Sequence, residues 1–287
     1  MDNDKSKVEA VYVENGIIKS VGEENKLLSI ITSNTKLINL EGKTLLPGFI
    51  DSHTHPIAST FLYDMIDLSG FKHNTKEAVW SYLEERILEF EPNQWILCKG
   101  FDQVLVDGLI GPDISYLDSI SPKNPIFISS LSMHSYWANS IAFDRVGIDK
   151  NSTNPSFSSY YDKDSLGNLT GFIVEQEAFK PFKESIVKAL GRDLFKKNSV
   201  IVLDDYAANG NTTITSMGIT TNDPNVISLY SHLSSKKSKF FNRLLFHLNL
   251  LPSRKPTVRH FIFSRFDSPN IIPESIDNGD DFFKIIG

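Results

Sequence analysis

A short apolar run closed by two histidines, LLPGFIDSHTHP at positions 45–56, sets the terms for the whole chain. Pro47-Gly48 breaks whatever precedes it, and Phe49 and Ile50 then continue without alternation, the pattern of a strand covered on both faces. Strands of that kind belong to parallel sheets, which require helical crossovers between neighbours. His53 and His55 stand two residues apart, so on extended backbone they project from one face. Neutral imidazole is a good ligand for divalent zinc, nickel or iron, and parallel α/β folds carry their chemistry at the carboxyl ends of strands, where this pair falls. The spacing alone is weak evidence and also fits two partly buried rings bonded to carbonyls. Asp51, two residues before His53, could set an imidazole tautomer or bond local backbone instead.

The remaining sequence alternates strand and helix signals. VEAVYVENGIIKSVG reads as a hairpin about Asn15-Gly16, and TKLINLEGKTLLPGFID adds further strand. A helix over about 75–90 presents Val79, Leu83, Ile87 and Phe90 on one side, with Asn74 as its cap and Glu77 three residues on. QWILCKGFD (94–102) and PIFISSLSMH (125–134) are two buried strands, the second leading into a helix from about Tyr136. Residues 149–168 form a polar loop, and GNLTGFIVE (167–175) is a short strand. A helix over about 193–208 stops at Asn209-Gly210, TTITSMG (212–218) is a strand, and Asp223-Pro224 opens another helix. NRLLFHLNL (242–250) and the terminal DDFFKIIG read as strands. The order predicts an α/β architecture.

Composition excludes several functions. With 40% hydrophobic and 22% charged residues the 287-residue chain can bury a sizeable core. A formal net charge of −6 with no dominant basic tract argues against a nucleic-acid partner. No apolar run is long enough to span a bilayer. The single cysteine, Cys98, forbids an internal disulfide and, with a charged opening segment, predicts a cytoplasmic location. Cys98 sits inside an apolar strand and reads as a core residue.

LLPGFIDSHTHP resembles the first-strand signature of the amidohydrolase superfamily, a Pro-Gly, an apolar pair, Asp-x-His-x-His. Four later stretches, GFDQ (100–103), MHSYWANSIAF (133–143), GNLTGFIVEQEAF (167–179) and NTTITSMGI (211–219), resemble the branch called amidohydrolase family 3, which includes N-substituted formamide deformylase-like proteins. The resemblance implies a partial (β/α)8 TIM-like barrel with an N-terminal β-sandwich portion. Residues 1–46 would be the β module and 47–287 the barrel's N-terminal half, with an insertion at about 60–205. It also implies a metal-dependent hydrolase of non-peptide C–N bonds, using a divalent metal, zinc first. His53 and His55 would be metal ligands. His134, Trp137 and Asn139 would lie in the substrate-binding region, with core packing and helix capping as the alternatives for the last two.

Family members take further ligands from later strands: a lysine or carboxylate on the fourth, histidines on the fifth and sixth, and an aspartate on the eighth. No counterparts to the last three are evident here. Lys284 is a weak substitute for the first, and His247 on its predicted strand reads as an ordinary bonded histidine. The expectation is therefore a chain that carries part of the site and is inactive alone. A non-catalytic binding or scaffold relative is the competing reading. A small amide-like substrate is the implied partner, and self-association into a homo-oligomer stays open.

Overall fold

The computed structural model describes residues 7–219, 224–235, 248, 257–264 and 278–286. Contacts separate two units, Met1–Pro47 and Gly48–Gly287. In the first, β1 (Ala10–Glu14) and β2 (Ile17–Gly22) pair antiparallel. Asn15 and Gly16 take φ of 52° and 77° between them, the positive pair that an Asn-Gly hairpin turn requires. The short α1 (Glu24–Leu28) follows and buries Leu27. The further strand expected after residue 35 does not form before Phe49. Glu41 and Gly42, at φ 51° and 78°, turn the backbone back instead, and Lys43 N–H donates to the Leu40 carbonyl at 2.9 Å.

The second unit runs β3 (Phe49–Thr54), α2 (Pro56–Leu62), β4 (Ile66–Asp67), α3 (Lys76–Ile87), β5 (Ile96–Phe101), α4 (Ile114–Ile120), β6 (Ile126–Ser130), β7 (Ser135–Ala138), α5 (Ser140–Arg145), β8 (Tyr160–Lys163) and β9 (Leu169–Val174). It continues through α6 (Glu175–Ala208), β10 (Asn211–Ile219), α7 (Pro224–Ser234), β11 (Arg259–Ser264), β12 (Asn278–Gly279) and β13 (Phe283–Ile285). One sheet has the order β3-β10-β11-β13-β12, its first four strands parallel. The other has the order β4-β5-β6-β7-β9-β8, parallel through β6 and antiparallel beyond. The fold is thus mixed α/β with parallel sheets.

The sequence explains both layers of the second sheet. Ile96, Cys98, Ile126 and Ile128 pack on one face against Val79, Leu83 and Ile87 of α3. Leu97 and Phe127, in the opposite phase, pack against Phe179, Phe182 and Ile186 of α6. Two covered faces are what unalternated apolar strands predict. Each fully buried aliphatic side chain there contributes roughly 1.5–3 kcal/mol. In the first sheet, Ile214, Ile262 and Phe283 pack with Leu229, Tyr230 and Leu233 of α7 and Leu203 of α6.

Several expectations need correction. Thr75, one residue later than Asn74, caps α3 by accepting the Ala78 N–H at 3.2 Å. The helix expected from Tyr136 begins at Ser140, because residues 135–138 return as β7 to pair with β6. The helix read over 193–208 is the second half of α6, which Gly191 interrupts at φ 73°. β3 is not covered on both faces: it is an edge strand, with Phe49 57% and Ile50 72% exposed. The strand read at 242–250, with His247, lies outside the described residues apart from Leu248. Among the described residues, no helix is long and apolar enough to cross a membrane.

Candidate functional site

β3 carries His53 near its end, and His55 follows as the residue before α2, whose first position is Pro56. Gly48 lets this strand approach its neighbour, since a side chain there would collide with Thr212. β3 pairs with β10 in a register that places Asp51 opposite Ile214 and Thr54 opposite Ser216. Three residues therefore advance on β3 against two on β10, a bulge that changes the phase of the strand. Asp51 consequently does not share His53's face. Its carboxylate accepts the His53 backbone N–H at 3.2 Å, the local bonding that was the alternative to an imidazole contact. Thr54 turns inward, and its hydroxyl donates to the Thr215 carbonyl at 3.0 Å. His53 and His55 flank it, both exposed.

The two imidazoles meet edge to face with ring centroids 5.3 Å apart. Two histidine nitrogens about 2.1 Å from one ion at a tetrahedral angle put their ring centres roughly 5 Å apart, so the spacing of the pair is compatible with one divalent ion. The fit stops at two: among the described residues no group of three or more His, Cys, Asp or Glu side chains is arranged to hold a metal. Lys284, opposite Phe261 on β13, lies two strands from β10 in the same sheet.

His134, Trp137 and Asn139 lie along β7 and its flanks in different surroundings. The His134 Nδ1 lies 2.9 Å from a Glu175 carboxylate oxygen, and the Glu175 N–H donates to the His134 carbonyl at 2.9 Å. Trp137 is buried, with its ring centroid 4.9 Å from that of Phe101 and 5.3 Å from that of Phe172. Gly111 lies against its indole, where a side chain would collide. Asn139 is buried at the start of α5. Its oxygen accepts from Ile126 N and Ala142 N, both at 3.0 Å, and its amide donates to the carbonyls of Ser121 at 3.1 Å and Asn124 at 2.9 Å. Those four bonds exhaust an asparagine's capacity. Packing and capping therefore account for Trp137 and Asn139, and His134 alone of the three keeps an exposed polar ring.

Glu175 is the partner that sequence reasoning left without a role; its only signal was its place in GNLTGFIVEQEAF. Met133 and Glu175 both hold left-handed backbone, at φ 60° and 69°, which costs a non-glycine residue about 1–3 kcal/mol. Gln176 locks the site from below, its amide donating to the Met133 carbonyl and to the Tyr136 hydroxyl oxygen, both at 2.7 Å. The Tyr136 hydroxyl itself donates to the Met133 carbonyl.

Two clefts lie nearby. The larger, about 500 Å³, is lined by Ser59, Tyr63, Lys99, Tyr206 and Asn211. Asn211 begins β10, so this cleft reaches the amino end of that strand, and neither His53 nor His55 lines it. Burial pushes the Tyr206 hydroxyl up, and the Asp51 carboxylate adds to this against Thr54 and Ser59. The smaller, about 200 Å³, is lined by Asp67, Lys99, Gly100, Ser130, Leu131 and Met133 among others, at the carboxyl ends of β4, β5 and β6. Burial pulls the Lys99 ammonium down, partly offset by Asp67 and Asp64. Its Nζ donates to the Leu62 carbonyl at 2.8 Å. For Asp67, burial is outweighed by hydrogen bonds from Ser69 and by the Lys99 and Lys72 charges, so its carboxyl is held low.

Other groups resolve to structure. Cys98 is fully buried and burial drives its thiol up, which suits packing. Asp102 caps a loop, accepting from Val104 N at 2.7 Å and Leu105 N at 3.2 Å. His73 is buried with its Nε2 2.9 Å from the Asp67 carbonyl. His260 is fully buried on β11, where its Nε2 lies 2.7 Å from the Ser216 hydroxyl.

The chain is 31% identical over 178 residues to an N-substituted formamide deformylase of Arthrobacter pascens, covering 62% of this chain and 33% of that protein. It is 31% identical over 225 residues to the exoenzymes regulatory protein AepA of Pectobacterium carotovorum subsp. carotovorum, covering 76% of this chain and 47% of that protein. The chain thus spans a third to a half of the length of these relatives. In fold it is similar to an uncharacterized metal-dependent hydrolase of Pyrococcus horikoshii OT3, with a TM-score of 0.59 at 18% identity, covering 98% of this chain and 50% of that one. The profile of the amidohydrolase family matches residues 36–242. That span begins before the Pro-Gly of the first strand and runs through β3, the whole second sheet and β10, and on this ground the chain belongs to the amidohydrolase family, in the branch called family 3.

Proposed function

We propose that this chain serves a metal-dependent hydrolase acting on non-peptide C–N bonds, with His53 and His55 as two ligands of a divalent ion, zinc first. The observation that carries the reading is the pair of exposed imidazoles at the carboxyl end of β3, 5.3 Å between centroids. The printed name of the Arthrobacter relative, an N-substituted formamide deformylase, supports an amide-type small molecule as substrate. The chemistry a divalent ion supplies in such sites is Lewis-acid polarisation of a carbonyl oxygen. The chain's own contribution is to aim the rings: the bulge turns His53 away from Asp51, and Tyr230, whose hydroxyl donates to the Pro56 carbonyl at 3.2 Å, anchors the backbone just after His55.

The parallel strands β3, β10, β11 and β13, neighbours in one sheet, support a reading as four consecutive strands of a (β/α)8 barrel. Residues of about 60–205 would then be an insertion between its first two strands, and β1 and β2 part of a β-sandwich. Catalytic zinc sites use three protein ligands, so two histidines supply less than a working site and turnover by this chain alone is not expected. Zinc-loaded chain incubated with an N-alkylformamide tests this. The reading predicts no amine release, and release abolished by His53→Ala would overturn the inactivity. The short ligand set also favours a second reading, a non-catalytic binding relative. Purified chain that is folded and monodisperse and takes up no zinc would favour it over the hydrolase.

A further inference from the structure

The larger cleft carries two opposite charges that do not meet. It measures about 500 Å³, within the range of small-molecule sites, and neither His53 nor His55 lines it. Lys99 of β5 and Asp205 of α6 both do. Among the described residues neither of these two belongs to an ion pair. The Lys99 ammonium donates to the carbonyls of Leu62 and Tyr63 at the end of α2, at 2.8 and 3.4 Å. An ammonium has three protons, so one remains. Asp67 and Asp64 act on the charge from a distance, but their carboxylates accept elsewhere, from the Ser69 N–H at 2.9 Å and the Asn198 amide at 2.7 Å. Burial pulls the ammonium down, and an anion beside a half-buried cation restores its charged form.

The chemistry of the occupant is that of the lining with its charges reversed. Lys99 calls for an anion that accepts its third proton, and Asp205 for a cation that donates to its carboxylate. Charge-assisted hydrogen bonds of both kinds are the strong ones. Beside the two charges, Leu62, Val202 and the rings of Tyr63 and Tyr206 offer apolar surface. A plain anion matches Lys99 but sets its charge against Asp205, and a plain amine does the reverse. A molecule with both charges and a short hydrocarbon arm satisfies the whole lining.

We propose that this cleft is a binding site for a zwitterionic amino acid with an apolar side chain, its carboxylate on Lys99, its ammonium on Asp205 and its hydrocarbon against Leu62 and Val202. The test is an NMR titration of the full ¹⁵N-labelled chain with leucine, with 4-methylpentanoate, which lacks the ammonium, and with 3-methylbutylamine, which lacks the carboxylate. Leucine is expected to give saturable shifts. Each analogue should bind at least about tenfold more weakly, the loss of one charged hydrogen bond. Asp205→Asn, at an exposed position, should weaken leucine about tenfold and leave 4-methylpentanoate unchanged. Lys99→Met should weaken leucine likewise and leave 3-methylbutylamine unchanged. A merely structural role for either residue would move all three ligands together. The His53→Ala/His55→Ala double variant should titrate like the parent, which separates this site from the metal reading. No saturable response to leucine, an analogue bound as tightly as leucine, or a leucine affinity unchanged in Asp205→Asn overturns the proposal.

Discussion

At the scale of single residues, the clearest division is between side chains whose bonding is complete and those that still have capacity. Asn139 uses all four of its hydrogen bonds to join β6, α4 and α5. Its replacement by alanine takes the side-chain partner from the Ile126 N–H and the Ser121 carbonyl, at about 1–3 kcal/mol each. Asn139→Ala is therefore expected to lose about 3 kcal/mol in a denaturant titration, and a loss under about 1 kcal/mol would show that water replaces it. Residue type alone could not separate Asn139 from His134, since both lie in MHSYWANSIAF and both suit a binding site. The difference is set by β7, a strand where a helix was expected, which turns Trp137 into the core and leaves His134 at the rim. Asp51 illustrates the same limit: a strict two-residue period puts it with His53, and one bulge, which no spacing rule reveals, removes it.

At the scale of elements, caps and buried polar pairs decide local stability. Thr75 caps α3 through the Ala78 N–H, and Thr75→Ala should lower stability by about 1 kcal/mol, measurable as a shift in the denaturation midpoint with unchanged slope. β10 and β11 are joined through Ser216 and His260. Among the described residues the His260 Nδ1 has no partner, and burial lowers the ring from 6.5 to about 3. The unfolded chain therefore takes up a proton that the folded chain refuses. Stability from this group is complete above about pH 6.5 and falls as pH drops toward about 3, by about 1.4 kcal/mol per pH unit. The double change His260→Leu with Ser216→Ala should flatten that limb of the stability profile; an unchanged slope would assign it to other groups. Elements with strong periodicity were legible in advance. Val79, Leu83 and Ile87 marked α3, and Asn15-Gly16 marked the first hairpin. Less legible were those set by distant partners: β7 by its pairing with β6, and the exposure of β3 by its place at the sheet edge.

At the scale of the whole molecule, one motif located the family and the paired imidazoles, while the division into two sheets came from the structure. Residues between β3 and β10 build a complete sheet with cores on both faces, and α2 and α6 tie it to the first sheet, Asn198 donating to the Asp64 carboxylate at 2.7 Å and the Thr60 hydroxyl bonding Tyr230 at 2.6 Å. The strand order of this second sheet was beyond sequence reasoning, because mixed pairing depends on contacts such as β7 with β9 that no local pattern encodes. The central claim is that His53 and His55 act together on one ion. Equilibrium dialysis against zinc, with metal counted by mass spectrometry in the parent chain, His53→Ala, His55→Ala and His134→Gln, tests it most directly. The parent and His134→Gln are expected to retain zinc, while either single change at 53 or 55 weakens retention at least about tenfold. Zinc retained equally by all four chains, or by none, would contradict it.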